Sequence, residues 1–116
     1  MLPRPKSFPH ALRGLRDMLR TEPHARFHLL AAVAVVALGL YLDVTRVDWL
    51  ALTLAIAIVW TAEALNTAVE RTCDAITQER DERIRIAKDV AAGAVLLASV
   101  AAVVIAALVF GPHLGL

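Results

Sequence analysis

Hydrophobic residues along the chain form three long stretches, which cover residues 27–42, 49–67 and 90–110. A helix needs about 20 residues to cross the roughly 30 Å of hydrocarbon in a membrane. The third stretch is long enough alone, and the first two need flanking residues to complete the crossing. Because lipid cannot hydrogen-bond to a bare backbone, α-helices are the expected form of all three. Transmembrane helices are predicted over residues 22–42, 49–70 and 84–110.

A shorter pattern precedes these stretches, at residues 7–20. Apolar side chains recur there on one helical face and arginines on another; they are Ala11, Leu12, Leu15, Met18 and Leu19, and Arg13, Arg16 and Arg20. The pattern predicts an amphipathic surface helix in the membrane interface, beside anionic lipid. A helix packed on the rest of the protein fits the pattern as well. With 59% hydrophobic residues, the chain is expected to be one all-α integral membrane domain over residues 1–116.

Lysine and arginine are distributed unevenly over the polar flanks of the three stretches. Residues 1–26 carry six of them, the 43–48 connection carries one, segment 71–89 carries five, and the tail after 110 carries none. The positive-inside rule therefore places the N-terminus and segment 71–89 in the cytoplasm and the C-terminus outside. No signal-peptide pattern is visible. The lone Cys73 is then expected on the reducing side, without an internal disulfide.

A polar stripe interrupts the second stretch and continues beyond it. Its members follow one another at spacings of 3, 4 and 4, and they are Glu63, Asn66, Glu70 and Asp74. On a helix they share one face, within an arc of about 80°. A carboxylate inside the lipid costs about 3 kcal/mol, which makes Glu63 a candidate functional residue. The alternative is a helix that emerges into water, which explains Asp74 well, Glu70 partly and Glu63 poorly.

The predicted topology brings charges from three helices to one depth, at the cytoplasmic boundary. Glu22 opens the first helix, Glu70 closes the second, and Lys88 with Asp89 opens the third. Glu63 lies two turns deeper, about 10 Å at helical rise. The alternative is that these charges have no role in a site. Lys88 and Asp89 would then be ordinary interfacial residues, and Glu22 would be an ordinary acidic residue in the first turn of a helix.

These residue types suit chemistry between a water-soluble anion and a hydroxyl group held at the lipid surface. Carboxylates without Cys or His ligands favour Mg²⁺, which accompanies nucleotide phosphates. Lys88 offers a positive charge to phosphate, and the partly desolvated Glu63 suits a general base that acts on an alcohol. His10, His24 and His28 are spaced too irregularly for a metal site. The sequence contains none of the G-x-x-x-x-G-K-[ST], G-x-G-x-x-G or H-R-D motifs of soluble nucleotide sites.

The stripe and the start of the third helix carry a resemblance to a known family. The chain resembles the prokaryotic diacylglycerol kinase and undecaprenol kinase family in two motifs, Glu63-Ala-Leu-Asn-Thr-Ala-Val-Glu70 with Asp74, and Ala87-Lys-Asp-Val-Ala-Ala-Gly-Ala-Val95. Upstream it is similar in Ser7-Phe8, Ala11, Gly14 and the Glu22-x-x-x-Arg26-x-His28 pattern. The resemblance therefore covers nearly the whole chain.

The resemblance implies a small lipid kinase of the bacterial inner membrane, which phosphorylates a membrane lipid alcohol with ATP. Glu63 would be the catalytic base with Asn66 beside it, and Glu22 and Glu70 would hold the Mg²⁺ ions that bridge the ATP phosphates. The implied nucleotide-binding residues are Lys88, Asp89, Glu79, Arg80, Asp81 and His10. Members of the family form homotrimers whose active sites lie between protomers, so the same assembly is expected.

Some positions bear on the substrate and on the nucleotide contacts. The Arg26-x-His28 form resembles the members that phosphorylate undecaprenol, so undecaprenol is slightly favoured over diacylglycerol as the substrate. His24 and Asp81 depart from the residues that the family often carries, which are Asn and His respectively. The contacts with the nucleotide at Asp81 are therefore expected to differ.

Two other classes of protein stay open at this point. A small proton-coupled multidrug exporter also uses short helices and a membrane-embedded glutamate. Such an exporter needs four spans and little cytoplasmic charge, whereas this chain offers three spans and a heavily charged 71–89 segment. A non-catalytic helical subunit of a larger complex is the other alternative, and it would not need aligned acids on three helices.

Overall fold

The computed structural model describes residues 7–116, and within them the chain forms four α-helices and no strand. The helices are α1 (Ser7–Thr21), α2 (Pro23–Leu42), α3 (Arg46–Ile76) and α4 (Glu82–His113). The last three are long and apolar enough to cross a membrane. The predicted all-α membrane architecture, with a short N-terminal helix ahead of three long ones, is therefore confirmed.

Helices α3 and α4 extend beyond the predicted ranges of 49–70 and 84–110 at both ends. With 31 and 32 residues, they measure about 46 and 48 Å at helical rise. Helix α3 starts early because Thr45 and Asp48 form a reciprocal capping box, in which each side chain accepts the other residue's backbone N–H. No glycine or proline stops the helix before Ile76, so it runs into the charged segment.

The end of α4 lies beyond the predicted boundary at residue 110, although Gly111-Pro112 follows that residue. The helix continues to His113 with Pro112 inside its last turn. Proline removes one backbone donor, but the N–H of Leu114 still donates to the carbonyl of Phe110 at 3.1 Å and closes the turn. The proline is therefore accommodated at the helix end.

Helices α3 and α4 pack side by side in opposite directions and form the most extensive helix contact of the chain. Near one end, Nε2 of His113 lies 3.6 Å from Oδ2 of Asp48. Near the other end, Nζ of Lys88 lies 2.7 Å from Oδ1 of Asp74. Buried apolar side chains cluster near the first of these ends and include Val44, Leu52, Val109 and Phe110. The polar stripe of α3 therefore lies toward the opposite end of the bundle.

Helix α1 packs on the bundle through its last turn. Met18 is buried, whereas Leu12 and Leu15 on the same apolar face are exposed. Many large apolar side chains of the three long helices are exposed as well, for example Leu97 and Val103 of α4. Surfaces of this kind are those expected against lipid, and the exposed apolar face of α1 fits a helix that lies in the membrane interface.

Candidate active site

Glu63 is a buried carboxylate in the middle of a membrane-spanning helix. The residue is 4% exposed, and the buried polar residues among those described include only it and Thr67. Helix α3 turns it toward α2, where Nε2 of His28 lies 3.5 Å from Oε2 of Glu63. The imidazole in turn packs edge-on against the ring of Phe27, with 5.7 Å between ring centroids. The carboxylate predicted as the base thus lies in the bundle interior, with an imidazole nitrogen 3.5 Å from one of its oxygens.

Asn66 lies one turn further along the same face of α3. Its Nδ2 donates to Oε1 of Glu70 across 3.5 Å. Its Oδ1 is buried and has no hydrogen-bond partner in the part of the chain that the structure describes. A buried acceptor without a donor is costly. The carbonyl oxygen of Asn66 is therefore a suitable acceptor for a hydroxyl or amine from another molecule.

Glu22 reaches the same end of α3 through an arginine. The guanidinium of Arg71 lies 3.4 Å from Oε1 of Glu22, and it also donates to the hydroxyl of Thr21. Arg71 directly follows Glu70 in the helix, so this contact ties the start of α2 to the turn that carries Glu70. The two acids predicted as metal ligands thus belong to neighbouring parts of the bundle.

Lys88 and Asp89 both lie in the first turns of α4, but they have different partners. The Lys88 ammonium pairs with Asp74, the last residue of the stripe. The Asp89 carboxylate accepts from Arg85 at 2.7 Å, on the exposed side of α4. Charged residues from the start of α2, from α3 and from α4 therefore meet over about one turn of α3, between Arg71 and Asp74.

The other predicted nucleotide-binding residues lie further from the stripe along the chain. Glu79 and Arg80 are exposed in the connection before α4, and His10 is exposed on α1. Asp81 caps α4: its carboxylate accepts from the backbone N–H of Arg83 at 2.9 Å and pairs with the Arg83 guanidinium at 3.0 Å. The side-chain hydrogen bonds from Arg83 hold the pKa of Asp81 below its usual value. Asp81 thus has a structural role, and its predicted nucleotide contact stays a prediction.

Two apolar grooves are lined by polar residues close to Glu63. The groove between α3 and α4 has a volume of about 990 Å³ and is lined by Asn66 together with small residues such as Ala62 and Ala94. The groove where α2, α3 and α4 meet has a volume of about 280 Å³ and is lined by His28. Asn66 and His28, the polar residues near the buried Glu63 carboxylate, therefore each line an apolar groove of the bundle.

The acidic residues are better suited to a metal ion that binds together with phosphate than to a metal ion held by protein ligands alone. The described residues contain no group of three or more His, Cys, Asp or Glu side chains that could hold an ion. Mg²⁺ is commonly bound by one or two carboxylates together with substrate phosphates and water. Glu22 and Glu70 supply oxygen donors of this kind, so the residues present fit a magnesium–nucleotide complex.

Two contacts were not singled out by the sequence reasoning. The Arg71–Glu22 pair joins residues about fifty positions apart, and its only local signal is a cation that directly follows Glu70. The His28–Glu63 pair depends on how α2 and α3 are rotated against each other, and periodicity does not define that rotation. In the sequence, His28 is set aside as a metal ligand, and only the family resemblance connects it with the substrate.

Comparison of the sequence with known proteins finds a family model that matches most of the chain. The family model for prokaryotic diacylglycerol kinase matches residues 9–110. The chain is 40% identical over 109 residues to an undecaprenol kinase from Bacillus subtilis, which covers 94% of this chain and 89% of that protein.

Two diacylglycerol kinases are also similar. The enzyme from Synechocystis is 37% identical over 109 residues, which are 93% of this chain and 62% of that protein. The enzyme from Escherichia coli K12 is 30% identical over 110 residues, which are 95% of this chain and 90% of that protein. These matches give no support to an exporter. The chain belongs to the prokaryotic diacylglycerol kinase family, and it is a membrane protein that acts as a lipid kinase.

Proposed function

We propose that this kinase transfers the γ-phosphoryl group of Mg²⁺-bound ATP to the hydroxyl group of a membrane lipid alcohol, with Glu63 as the general base. The observation that carries this proposal is the burial of Glu63, which is 4% exposed within a membrane-spanning helix. A carboxylate is costly to keep in such a place, and it is suited to accept a proton from an alcohol that lipid brings to it.

The proposed reaction is a direct transfer in which Glu63 takes up the proton of the lipid hydroxyl. As the hydroxyl oxygen forms its bond to the γ-phosphorus, the bond from that phosphorus to the bridging oxygen breaks and ADP leaves. Asn66 fits a positioning role beside the base, because its buried Oδ1 is free to accept a hydrogen bond. The reaction relies mainly on orientation and charge stabilisation, as phosphoryl transfer generally does.

The proposed nucleotide site lies about two helical turns from the base. Glu22 and Glu70 would hold Mg²⁺, which when bound screens the negative charge of the phosphates. Lys88 has three N–H donors, and Asp74 engages one of them, so others remain for phosphate oxygens. The further nucleotide-binding residues in the proposal are Asp89, Glu79, Arg80, Asp81 and His10.

Undecaprenol is slightly favoured as the substrate, with diacylglycerol as the alternative. The Arg26-x-His28 pattern supports this preference. The identity of 40% to a protein named undecaprenol kinase also supports it, since the diacylglycerol kinases reported above are 37% and 30% identical. The proposal further includes a homotrimer with sites shared between protomers, in the bacterial inner membrane.

A direct transfer assay tests both the activity and the substrate. The purified full-length protein in mixed micelles is given Mg²⁺ and ATP labelled in the γ-phosphate, with undecaprenol or diacylglycerol at matched mole fraction. We expect labelled lipid from both or from undecaprenol alone, with the higher kcat/KM for undecaprenol. A higher value for diacylglycerol would reverse the substrate preference, and label in neither lipid would reject the proposal.

A further inference from the structure

The geometry around Glu63 points to a role for His28 in the reaction: we infer that His28 is a positioning residue, which orients the Glu63 carboxylate through its Nε2 atom. The inference rests on the proposed function, because it takes Glu63 to be the general base. It adds a residue from a different helix to the machinery and explains how a buried carboxylate is held in a productive orientation.

The contact between the two side chains is shielded from solvent. Nε2 of His28 lies 3.5 Å from Oε2 of Glu63, and the side chains are 16% and 5% exposed. Electrostatic interactions are stronger between buried groups than between exposed groups, and exposed ion pairs contribute little to stability. Catalytic contacts are often long before substrate binds and tighten afterwards. The 3.5 Å between Nε2 of His28 and Oε2 of Glu63 therefore suits a contact that orients the carboxylate and shortens when substrate binds.

His28 leaves part of the carboxylate free. An imidazole that holds Oε2 limits the rotation of the carboxylate, while Oε1 remains an acceptor for the hydroxyl proton. Any protonation state that carries hydrogen on Nε2 serves this purpose. Misplacement of a catalytic group by about 1 Å is enough to lower a rate by about 100-fold. A residue that restricts Glu63 to one orientation should therefore have a large effect on turnover.

Asn66, the nearest polar residue along the stripe, does not replace His28 in this role. Its amide N–H is directed to Oε1 of Glu70 at 3.5 Å, and amide Oδ1 donates no hydrogen. His28 also lines the groove of about 280 Å³ between α2, α3 and α4. It therefore lies between the base and an apolar surface of the bundle, on a different helix from the stripe.

Substitutions of His28 distinguish positioning from a general structural role. His28→Leu keeps the bulk of the side chain and removes its N–H donor, so we expect kcat to fall by about 10- to 100-fold. The KM for Mg·ATP should change by less than about twofold, because the proposed nucleotide site is separate from His28. His28→Gln places an N–H at a similar reach and should recover most of kcat. His28→Asn is too short and should behave like His28→Leu. His24→Leu, an exposed histidine one turn earlier on the same helix, is the control and should match the wild type.

A double-mutant comparison separates this inference from the proposed function. If His28 acts through Glu63, then His28→Leu should cause no additional loss in a Glu63→Gln background. An active Glu63→Gln enzyme would overturn the base assignment and this inference together. With Glu63→Gln slowed by about 10²- to 10⁴-fold as proposed, the inference alone fails on any of three results. These are near wild-type turnover in His28→Leu, a full multiplicative loss of the residual turnover in the double variant, or a His28→Gln variant no better than His28→Asn. If His28→Leu does not fold, the comparison of the Gln and Asn variants decides.

Discussion

At the scale of single residues, the acids of this protein have very different environments along one helical face. Glu63 is almost completely buried, whereas the side chain of Asp74 is 52% exposed and paired with Lys88. Burial of a carboxylate requires a partner, and the imidazole of His28 on α2 lies 3.5 Å from Glu63. The difference in environment divides the stripe into a deep part, where we propose proton transfer, and a shallow part, where we propose binding of charged groups.

The shallow part leads to a prediction about Mg·ATP binding. Glu70→Gln and Glu22→Gln should each weaken Mg·ATP binding by at least about tenfold, because an amide oxygen lacks the charge that holds Mg²⁺ beside phosphates. Equilibrium titration of the purified variants with Mg·ATP measures this effect. Asp43→Asn is a matched control, because it removes a carboxylate at the opposite end of α2, where Asn also tolerates the left-handed backbone of φ 50°. Wild-type affinity in both glutamine variants would remove the metal-ligand assignment.

At the scale of helices, the sequence predicts which segments span the membrane better than it predicts where each helix ends. The three spans followed from apolar runs of sufficient length, which is a strong requirement in lipid. The ends of the helices did not follow from hydropathy, because caps such as Thr45–Asp48 and Asp81 act over only a few residues. The alignment of charges at one end was expected from topology. The contacts of His28 with Glu63 and of Arg71 with Glu22 depend on helix rotation, and they required the packed structure.

The approach of α2 to the start of α3 leads to a prediction about stability. A Cβ atom added at Gly39 would lie 2.6 Å from the Trp49 ring, so Gly39→Ala forces the rigid ring or the helix to shift. Such overpacking costs about 1–3 kcal/mol, and we expect a lower melting temperature in detergent. Gly14→Ala is the control, because nothing lies within 4 Å of a Cβ at that position, and alanine favours a helix by up to about 1 kcal/mol. Equal melting temperatures for both variants would contradict the packing described for Gly39.

At the scale of the whole molecule, three membrane crossings predict that the segments before α2 and after α4 lie on opposite sides of the membrane. The Lys and Arg counts of six, one, five and none over the successive flanks predict a cytoplasmic N-terminus and an external C-terminus. This orientation places the charged contacts of Glu22, Arg71 and Lys88 on the cytoplasmic side, where ATP is available. The proposed nucleotide site and the predicted orientation therefore depend on each other.

Reporter fusions test the orientation. A reporter that requires export should be active when fused after Leu116 and inactive when inserted at Gln78, between α3 and α4. A reporter that requires the cytoplasm should show the reverse pattern. Cytoplasmic activity at Leu116 together with external activity at Gln78 would overturn the predicted orientation and place the charged site on the side without ATP.

The central claim is that Glu63 is the base of a lipid kinase, and the Glu63→Gln variant tests it most directly. The amide keeps the size of the side chain but cannot take the proton of the lipid hydroxyl, so turnover should fall by about 10²- to 10⁴-fold. Mg·ATP affinity should stay near the wild-type value, because Glu63 lies two turns from the proposed phosphate level. Folding should be retained or improved, since the buried charge is removed. A folded Glu63→Gln protein that transfers phosphate to lipid at near wild-type rate would contradict the claim.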